Sequence, residues 1–343
     1  MKLYFIASTF RGFGSGKGYW FHKAAELLSK KIDVKIFSMR LFNEKPANVN
    51  CLKKKFCRKI AEIRRECKKN KAVLHFPQYH LALFSFIPRF FFKCPIVIGP
   101  NTLPLQIPNK NKKPSFKERR IINMKFDMFT ALSDAHKIIL ENYGIPANKI
   151  KVIKPGIELD IFKPMPVNRK KFGIEEKDFV FAFINRFAEV KQFDLFEKAM
   201  MQIIDKHKHV KFLIIGKKLP VQHKNIINIG FINRMNLPKH YNLCDVYLIT
   251  SEWETYSIAG MEALSCGKPC IMTDVGGNPE QIIPGKNGFL VKKDCSNLIE
   301  TMENCINNPK LIKQMSKNAR ELALKNFNWD GKIKELIKLY QNL

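Results

Sequence analysis

No stretch of the 343 residues reaches the roughly 18 uninterrupted apolar residues that a membrane-spanning helix needs. No membrane-spanning helix is therefore expected in this sequence. No secretory leader is expected either. The first apolar run, Leu3 to Ala7, is short and gives way to Arg11 and a group of glycines. It reads as a first β-strand, and the chain is expected to be cytosolic. The nine cysteines are scattered, with no C-x2-C pair and no clustering with the eight histidines. This argues against a disulfide framework and against a structural zinc site. Cys51, Cys57 and Cys67 read as ordinary, partly buried thiols. Short-period repeats and low-complexity tracts are also absent, which leaves an ordinary globular composition with 45% hydrophobic residues.

Acidic residues are scarce: 30 Asp and Glu stand against 60 Lys and Arg, a net charge of +30. The imbalance is uneven. Residues 1–150 hold 30 basic and 9 acidic side chains (+21), whereas residues 151–343 hold 30 and 21 (+9). A field of this sign attracts nucleic acid, anionic lipid or anionic substrates. Leu52, Phe56, Ile60, Ile63 and Cys67 follow one another at helical spacing, giving one apolar stripe on an otherwise basic helix. Phe84–Lys93 mixes aromatics with two cations, and Lys110–Arg120 is a basic loop. Taken with the basic helix these segments suit an anionic membrane surface, although core packing is the simpler reading of the Phe-rich run and solvated surface that of the basic loop.

Strands and amphipathic helices alternate along the chain. Expected strands lie at Leu3–Ala7, Val34–Phe37, Ala72–Phe76 and Ile96–Ile98, with a helix at Trp20–Leu28. A second series has strands at Phe179–Ile184, Lys211–Ile215, Val246–Ile249 and Cys270–Met272. Helices at Phe193–Asp205, Pro238–Leu243 and Ile258–Ser265 lie between them. Such alternation predicts parallel, doubly wound sheets. Pro155-Gly156 between the two series is a natural linker. The fold class is α/β, with two Rossmann-like domains facing a central cleft. The domains are expected at 1–156 and 157–326, and a final helix in 327–343 is expected to return toward the first.

The segment from Thr250 to Glu280 carries the most chemistry. Glu254 and Glu262 form an E-x7-E pair. Glu254 follows a strand, so it sits on a loop at a strand's carboxyl end. Glu262 lies inside the next helix, which Gly267 and Pro269 close. Ligands of open α/β sheets bind at carboxyl strand ends, and helix N-termini there attract phosphate. One carboxylate can accept from sugar hydroxyls and the other from a ribose diol. With Ser251, Gly267-Lys-Pro269 and Gly276-Gly277-Asn-Pro-Glu280, the pattern resembles the donor-site signature of retaining glycosyltransferases of family four, which have the GT-B fold. Further pieces fall in the family's order. They are Pro155-Gly-Ile-Glu-Leu-Asp-Ile-Phe162, Asn185-Arg186, Lys191-Gln192 in place of a Lys-Gly pair, Gly230-Phe231, Tyr241-Asn-Leu-Cys-Asp245, and Phe327-Asn-Trp329 with Tyr340.

The resemblance implies a metal-independent, retaining glycosyltransferase that uses a nucleoside diphosphate sugar, with uridine diphosphate the commonest nucleotide of the family. It assigns catalytic roles to Arg186, Lys191 and Glu254. Donor binding would involve Gly14, Gly16, Arg186, Lys191, Phe231, Glu254, Tyr256, Ser257, Ile258 and Glu262, with no metal ligand and no cofactor. Guanidinium and ammonium groups suit a leaving diphosphate. Gly12–Gly18 fails as a phosphate loop, because Arg11 holds the first glycine position. The resemblance implies a turn that lets the backbone approach the donor phosphates and the acceptor, and a plain tight turn is the other reading. His75 ends a strand, where a packed structural role is the simpler expectation. At the place where the family often has a histidine, this chain has Asn101, which cannot act as an acid or base. The acceptor is expected to be a glycan or a lipid-linked molecule in surface polysaccharide, glycolipid or lipid-linked glycan synthesis, with the enzyme peripheral on the cytoplasmic face of a membrane. Two other classes fit parts of the chain: a basic nucleic-acid-binding protein, and an inactive sugar-binding relative. The first lacks a nucleic-acid module and leaves the paired glutamates unexplained.

Overall fold

The computed structural model describes residues 1–10, 16–41, 49–51, 56–69, 72–77, 94–99, 126–185, 188–216 and 223–343. The chain divides into two compact units, Met1–Pro155 with Asp330–Leu343, and Gly156–Trp329.

In the first unit, β1 (Lys2–Phe10), β2 (Asp33–Leu41), β3 (Val49–Cys51), β4 (Ala72–Phe76), β5 (Ile96–Ile98), β6 (Met128–Ala131) and β7 (Ile150–Val152) form one sheet in the order β3-β2-β1-β4-β5-β6-β7. Every pairing is parallel. Helices α1 (Gly16–Ser29), α2 (Phe56–Lys69) and α3 (Asp134–Asn142) belong to this unit. β4 and β5 are buried along their whole length, as strands covered on both faces must be. α2 buries Ile63 and Cys67 and exposes Arg65, Lys68 and Lys69, so at these positions the apolar and basic sides separate as the spacing predicts. Leu52, Phe84–Lys93, Asn101 and Lys110–Arg120 lie outside the described residues.

The second unit repeats the plan. β8 (Phe179–Ile184), β9 (Val210–Ile215), β10 (Ile226–Gly230), β11 (Val246–Ile249), β12 (Cys270–Thr273) and β13 (Gly288–Val291) are ordered β10-β9-β8-β11-β12-β13, again all parallel. α4 (Phe193–Lys206), α5 (Leu237–Tyr241), α6 (Ile258–Ser265), α7 (Cys295–Asn307) and α8 (Pro309–Asn326) complete it. Its core joins Phe181, Phe183 and Phe212 of the sheet to Phe196, Met200 and Ile203 of α4. β3, β6, β7, β10 and β13 were not anticipated. Four of the five have only three or four residues, too few for a period to show, and β10 is only half-buried at the sheet edge.

The last helix, α9 (Trp329–Gln341), starts in the second unit, and the rest of it counts with the first. Its Tyr340 hydroxyl lies 2.7 Å from Nδ1 of His75 on β4. His75 is completely buried, against the rings of Phe5 and Trp20. Burial pushes its imidazole down to about 3, so it stays neutral and packs as a structural histidine.

A part-buried ion cluster ties three elements of the first unit. Glu66 on α2 accepts from the Tyr4 hydroxyl at 2.5 Å, from Lys2 at 3.1 Å and from Lys35 at 3.3 Å. The Tyr4 hydrogen bond, then Lys2 and Lys35, hold its carboxyl down at about 2, below the ordinary 4.5. A depressed carboxylate stabilises the fold above its unfolded value and loses that contribution as pH falls toward the folded one. Glu66→Gln should therefore cost on the order of 1 kcal/mol at neutral pH. Urea unfolding of both proteins from neutral pH down to about pH 3 should show the gap closing below about 4.5. A gap independent of pH would assign the effect to packing.

Candidate functional site

Strand order in the second unit reverses between β8 and β11, which lie side by side although β9 and β10 intervene in the chain. Loops leaving two such strands diverge to opposite sides and open a crevice at their carboxyl ends. The loops after β8 and β11 carry Lys191 and Glu254. Lys191 Nζ is ion-paired with Glu254 Oε1, and the Ser251 hydroxyl donates to the same oxygen at 2.8 Å. Both partners are mostly buried, with side chains 15% and 13% exposed.

The backbone around this pair is tied from several sides. The Thr250 hydroxyl lies within hydrogen-bonding distance of the Lys191 and Gln192 carbonyls, at 3.1 and 3.2 Å. Glu252 N–H donates to the Val190 carbonyl at 2.8 Å. The Thr273 hydroxyl, at the end of β12, donates to the Ser251 carbonyl at 2.6 Å, and Gly277 N–H donates to the Glu254 carbonyl at 2.8 Å. Three loops from three neighbouring strands thus lock one another. Gly276 is required at the point of closest approach. It has φ +53, and a Cβ there would stand 1.9 Å from the Glu254 carbonyl oxygen.

Glu262 is placed differently from Glu254. It lies within α6, only 4% exposed, and both its oxygens are engaged. Arg234 Nε donates to Oε1 at 2.5 Å, and the Tyr241 hydroxyl donates to Oε2 at 2.9 Å. Arg234 also pairs with Glu158 at 3.1 Å and lies over the Phe162 ring, 4.6 Å from its centroid. Burial pushes the Glu262 carboxyl up, and Arg234 and Tyr241 pull against that shift. Glu262, expected to accept from a ribose diol, thus already has a protein partner on each oxygen. Burying a charge requires partners, and the protein supplies them itself. Arg234, Glu158 and Tyr241 were missed as site residues. A lone arginine among 60 basic side chains gives no local signal of a buried partner.

The remaining expected residues divide as follows. Ser257 caps α6, its hydroxyl accepting from Gly260 N–H at 3.2 Å. Its own backbone faces the Gln281 amide, which accepts from Ser257 N–H at 2.7 Å and donates to its carbonyl at 3.1 Å. Tyr256 is buried, and Ile258 opens α6. Phe231 follows β10 at the carboxyl end of the sheet and is 74% exposed. Gly16 begins α1 in the first unit. Arg186 and Gly14 lie outside the described residues. Among the described residues, no group of three His, Cys, Asp or Glu side chains could hold a metal ion.

Two glycines separate backbone strain from steric closure. Gly285 also has positive φ, +76, but a Cβ there would meet nothing within 4 Å. Gly276→Ala should lower stability by about 1–3 kcal/mol more than Gly285→Ala, measured by chemical denaturation. Equal losses would mean that the Glu254 loop yields freely.

Residues 165–322 match the family described as "Glycosyl transferases group 1", and residues 19–161 match "Glycosyltransferase Family 4". The chain is 25% identical over 232 residues to spore coat protein SA of Bacillus subtilis, a match covering 59% of this chain and 61% of that protein. It is 26% identical over 223 residues to the Escherichia coli UDP-Gal:alpha-D-GlcNAc-diphosphoundecaprenol alpha-1,3-galactosyltransferase, covering 60% of this chain and 57% of that one. The chain thus spans less than two thirds of the length of either relative. The crystal structure of Anabaena HepE in complex with UDP superposes with a TM-score of 0.80 at 18% identity, covering 100% of both chains. That likeness is one of fold. With the doubly wound units and the E-x7-E loop already described, these matches place the chain in glycosyltransferase family 4, the glycosyl transferases group 1, with the GT-B fold.

Proposed function

We propose that this protein is a retaining glycosyltransferase that moves a sugar from a nucleoside diphosphate sugar to an acceptor hydroxyl without a metal ion. The observation that carries the reading is the Lys191–Glu254 pair at the β8/β11 reversal, joined by Ser251. The two charges are 63 residues apart in sequence and meet where open α/β sheets take ligands. Support for the donor class comes from the galactosyltransferase relative, which is named for a UDP-linked sugar, and from a neighbour of the same fold solved with UDP-glucose. A uridine diphosphate donor is the first to try.

In the reaction, the bond between the anomeric carbon and the diphosphate oxygen breaks. A bond from that carbon to the acceptor oxygen forms on the same face. The acceptor proton passes to the departing phosphate. Arg186 and Lys191 would stabilise the charge that grows on the diphosphate, work for which fixed cations suffice. Glu254, held through Oε1, would accept a sugar hydroxyl on Oε2. Each Glu262 oxygen keeps a second lone pair, so its partners orient it and a ribose hydroxyl can still bind. The acceptor would be a glycan or lipid-linked molecule bound by the first unit, in surface polysaccharide, glycolipid or lipid-linked glycan synthesis.

Hydrolysis or transfer measured over UDP-glucose, UDP-galactose, UDP-N-acetylglucosamine and GDP-mannose tests this reading. We expect turnover of at least one donor, a fall of about 10²-fold or more in kcat for Lys191→Ala and for Arg186→Ala, and no effect of EDTA. Activity abolished by EDTA and restored by magnesium or manganese would overturn the metal-free mechanism. Nucleotide binding without any turnover would favour an inactive sugar-binding relative.

The membrane side of the proposal rests on charge: +21 over residues 1–150 and the exposed Arg65, Lys68 and Lys69 of α2. Among the described residues, no helix is long and apolar enough to cross a membrane. Each cation near an anionic surface contributes about 1 kcal/mol, and salt screens it. The protein should therefore co-sediment with phosphatidylglycerol-containing vesicles at low salt and release at high salt. Equal binding to neutral vesicles, or none to either, would favour a soluble acceptor.

A further inference from the structure

Gln192 is the only non-glycine residue with positive φ among the described residues, at φ 44 and ψ 56. The left-handed region is costly for any side chain with a Cβ, and such outliers persist where the surroundings hold them and the residue serves a purpose. The surroundings here are explicit. Gln192 N–H donates to the Glu189 carbonyl at 2.9 Å. The Gln192 carbonyl accepts from the Thr250 hydroxyl at 3.2 Å and from Phe196 N–H at 3.4 Å. Gln192 therefore stands fixed between Lys191 and the first turn of α4, on the loop after β8. Glycine would take this backbone without strain. Among the described residues, no side-chain hydrogen bond of Gln192 accounts for the strain. The side chain makes no capping bond to α4, and its Oε1 is buried with no hydrogen-bond partner.

A buried acceptor left unpaired is unfavourable, so strain and an unmet hydrogen bond coincide on one residue beside the Lys191–Glu254 pair. Resting on the glycosyltransferase reading above, we infer that the Gln192 carboxamide is a sugar-contacting, specificity-determining group of the donor site, its Oε1 accepting from a hydroxyl of the transferred sugar. Chemistry selects the sugar over the diphosphate. An acceptor oxygen needs a donor, and ionised phosphate oxygens only accept. The residue is half-buried, and the terminal torsion of glutamine is broad, so the amide oxygen can turn to a ligand without moving the pinned backbone.

The test compares wild type, Gln192→Gly and Gln192→Ala with whichever donor of the four-member panel wild type turns over best, and with its bare nucleoside diphosphate. Glycine removes both strain and amide, and alanine removes the amide alone. Both variants should lose roughly tenfold in kcat/KM for the donor, while the Kd for the bare diphosphate stays within about twofold. Gln192→Gly should melt about 2–4 °C higher than wild type, and Gln192→Ala should not. This pairing of greater stability with poorer donor use is something a purely structural glutamine would not give. Donor turnover within twofold of wild type in both variants would overturn the inference and leave the glycosyltransferase reading intact. A tenfold loss for the bare diphosphate, or no gain in stability with glycine, would also overturn it. Wild type that turns over no donor would sink both readings together.

Discussion

The reversal of strand order between β8 and β11 is the constraint on which the candidate site depends. Parallel strands must be joined by crossovers, and a right-handed crossover puts its helix on a face decided by the direction of winding. When the winding direction changes, the two loops at the reversal leave toward opposite faces, and the carboxyl end between them stays open. Lys191 and Glu254 meet there. The hydroxyls of Thr250 and Thr273 then bond carbonyls of neighbouring loops, which converts an opening set by topology into one of defined shape.

The two glutamates of the E-x7-E pair show how position in one short segment separates chemical roles. Glu254 is on a loop and keeps a lysine and a serine as partners. Glu262 is two turns into the following helix and faces inward, where only a guanidinium and a phenol meet it. A planar guanidinium can serve two carboxylates at once, and Arg234 does so by reaching Glu158 as well. In this way the segment entering the second unit, the loop after β10 and α6 share one buried cation.

The first unit shows the opposite economy of charge. Among its described residues, α2 keeps Arg65, Lys68 and Lys69 exposed, while Glu66 of the same helix gathers Tyr4, Lys2 and Lys35. The neutral His75, buried beneath Tyr340, is what the closing helix meets on this unit's central strands.

Much of this was legible in the chain read as a string. Alternating apolar runs predicted two doubly wound sheets, because strands buried on both faces need continuous apolar stretches. β4, β5, β8 and β11 fall at their expected limits. Gly267 closes α6 with φ +71, because only glycine takes that backbone freely. Glu254 and Lys191 were singled out through motif and order, and the structure pairs them. What could not be read was whatever depends on partners far apart in sequence. Neither Arg234 nor Tyr241 announces that it will cover Glu262, since burial is a property of the folded surface and not of the residue. Nor does glutamine in place of glycine at 192 disclose its left-handed backbone, because φ there is imposed by Thr250 and Glu189 across the loop. Local pattern decides which segments become strands and helices. The pairing of charges and the strain of a single residue arise only when distant segments are brought into contact.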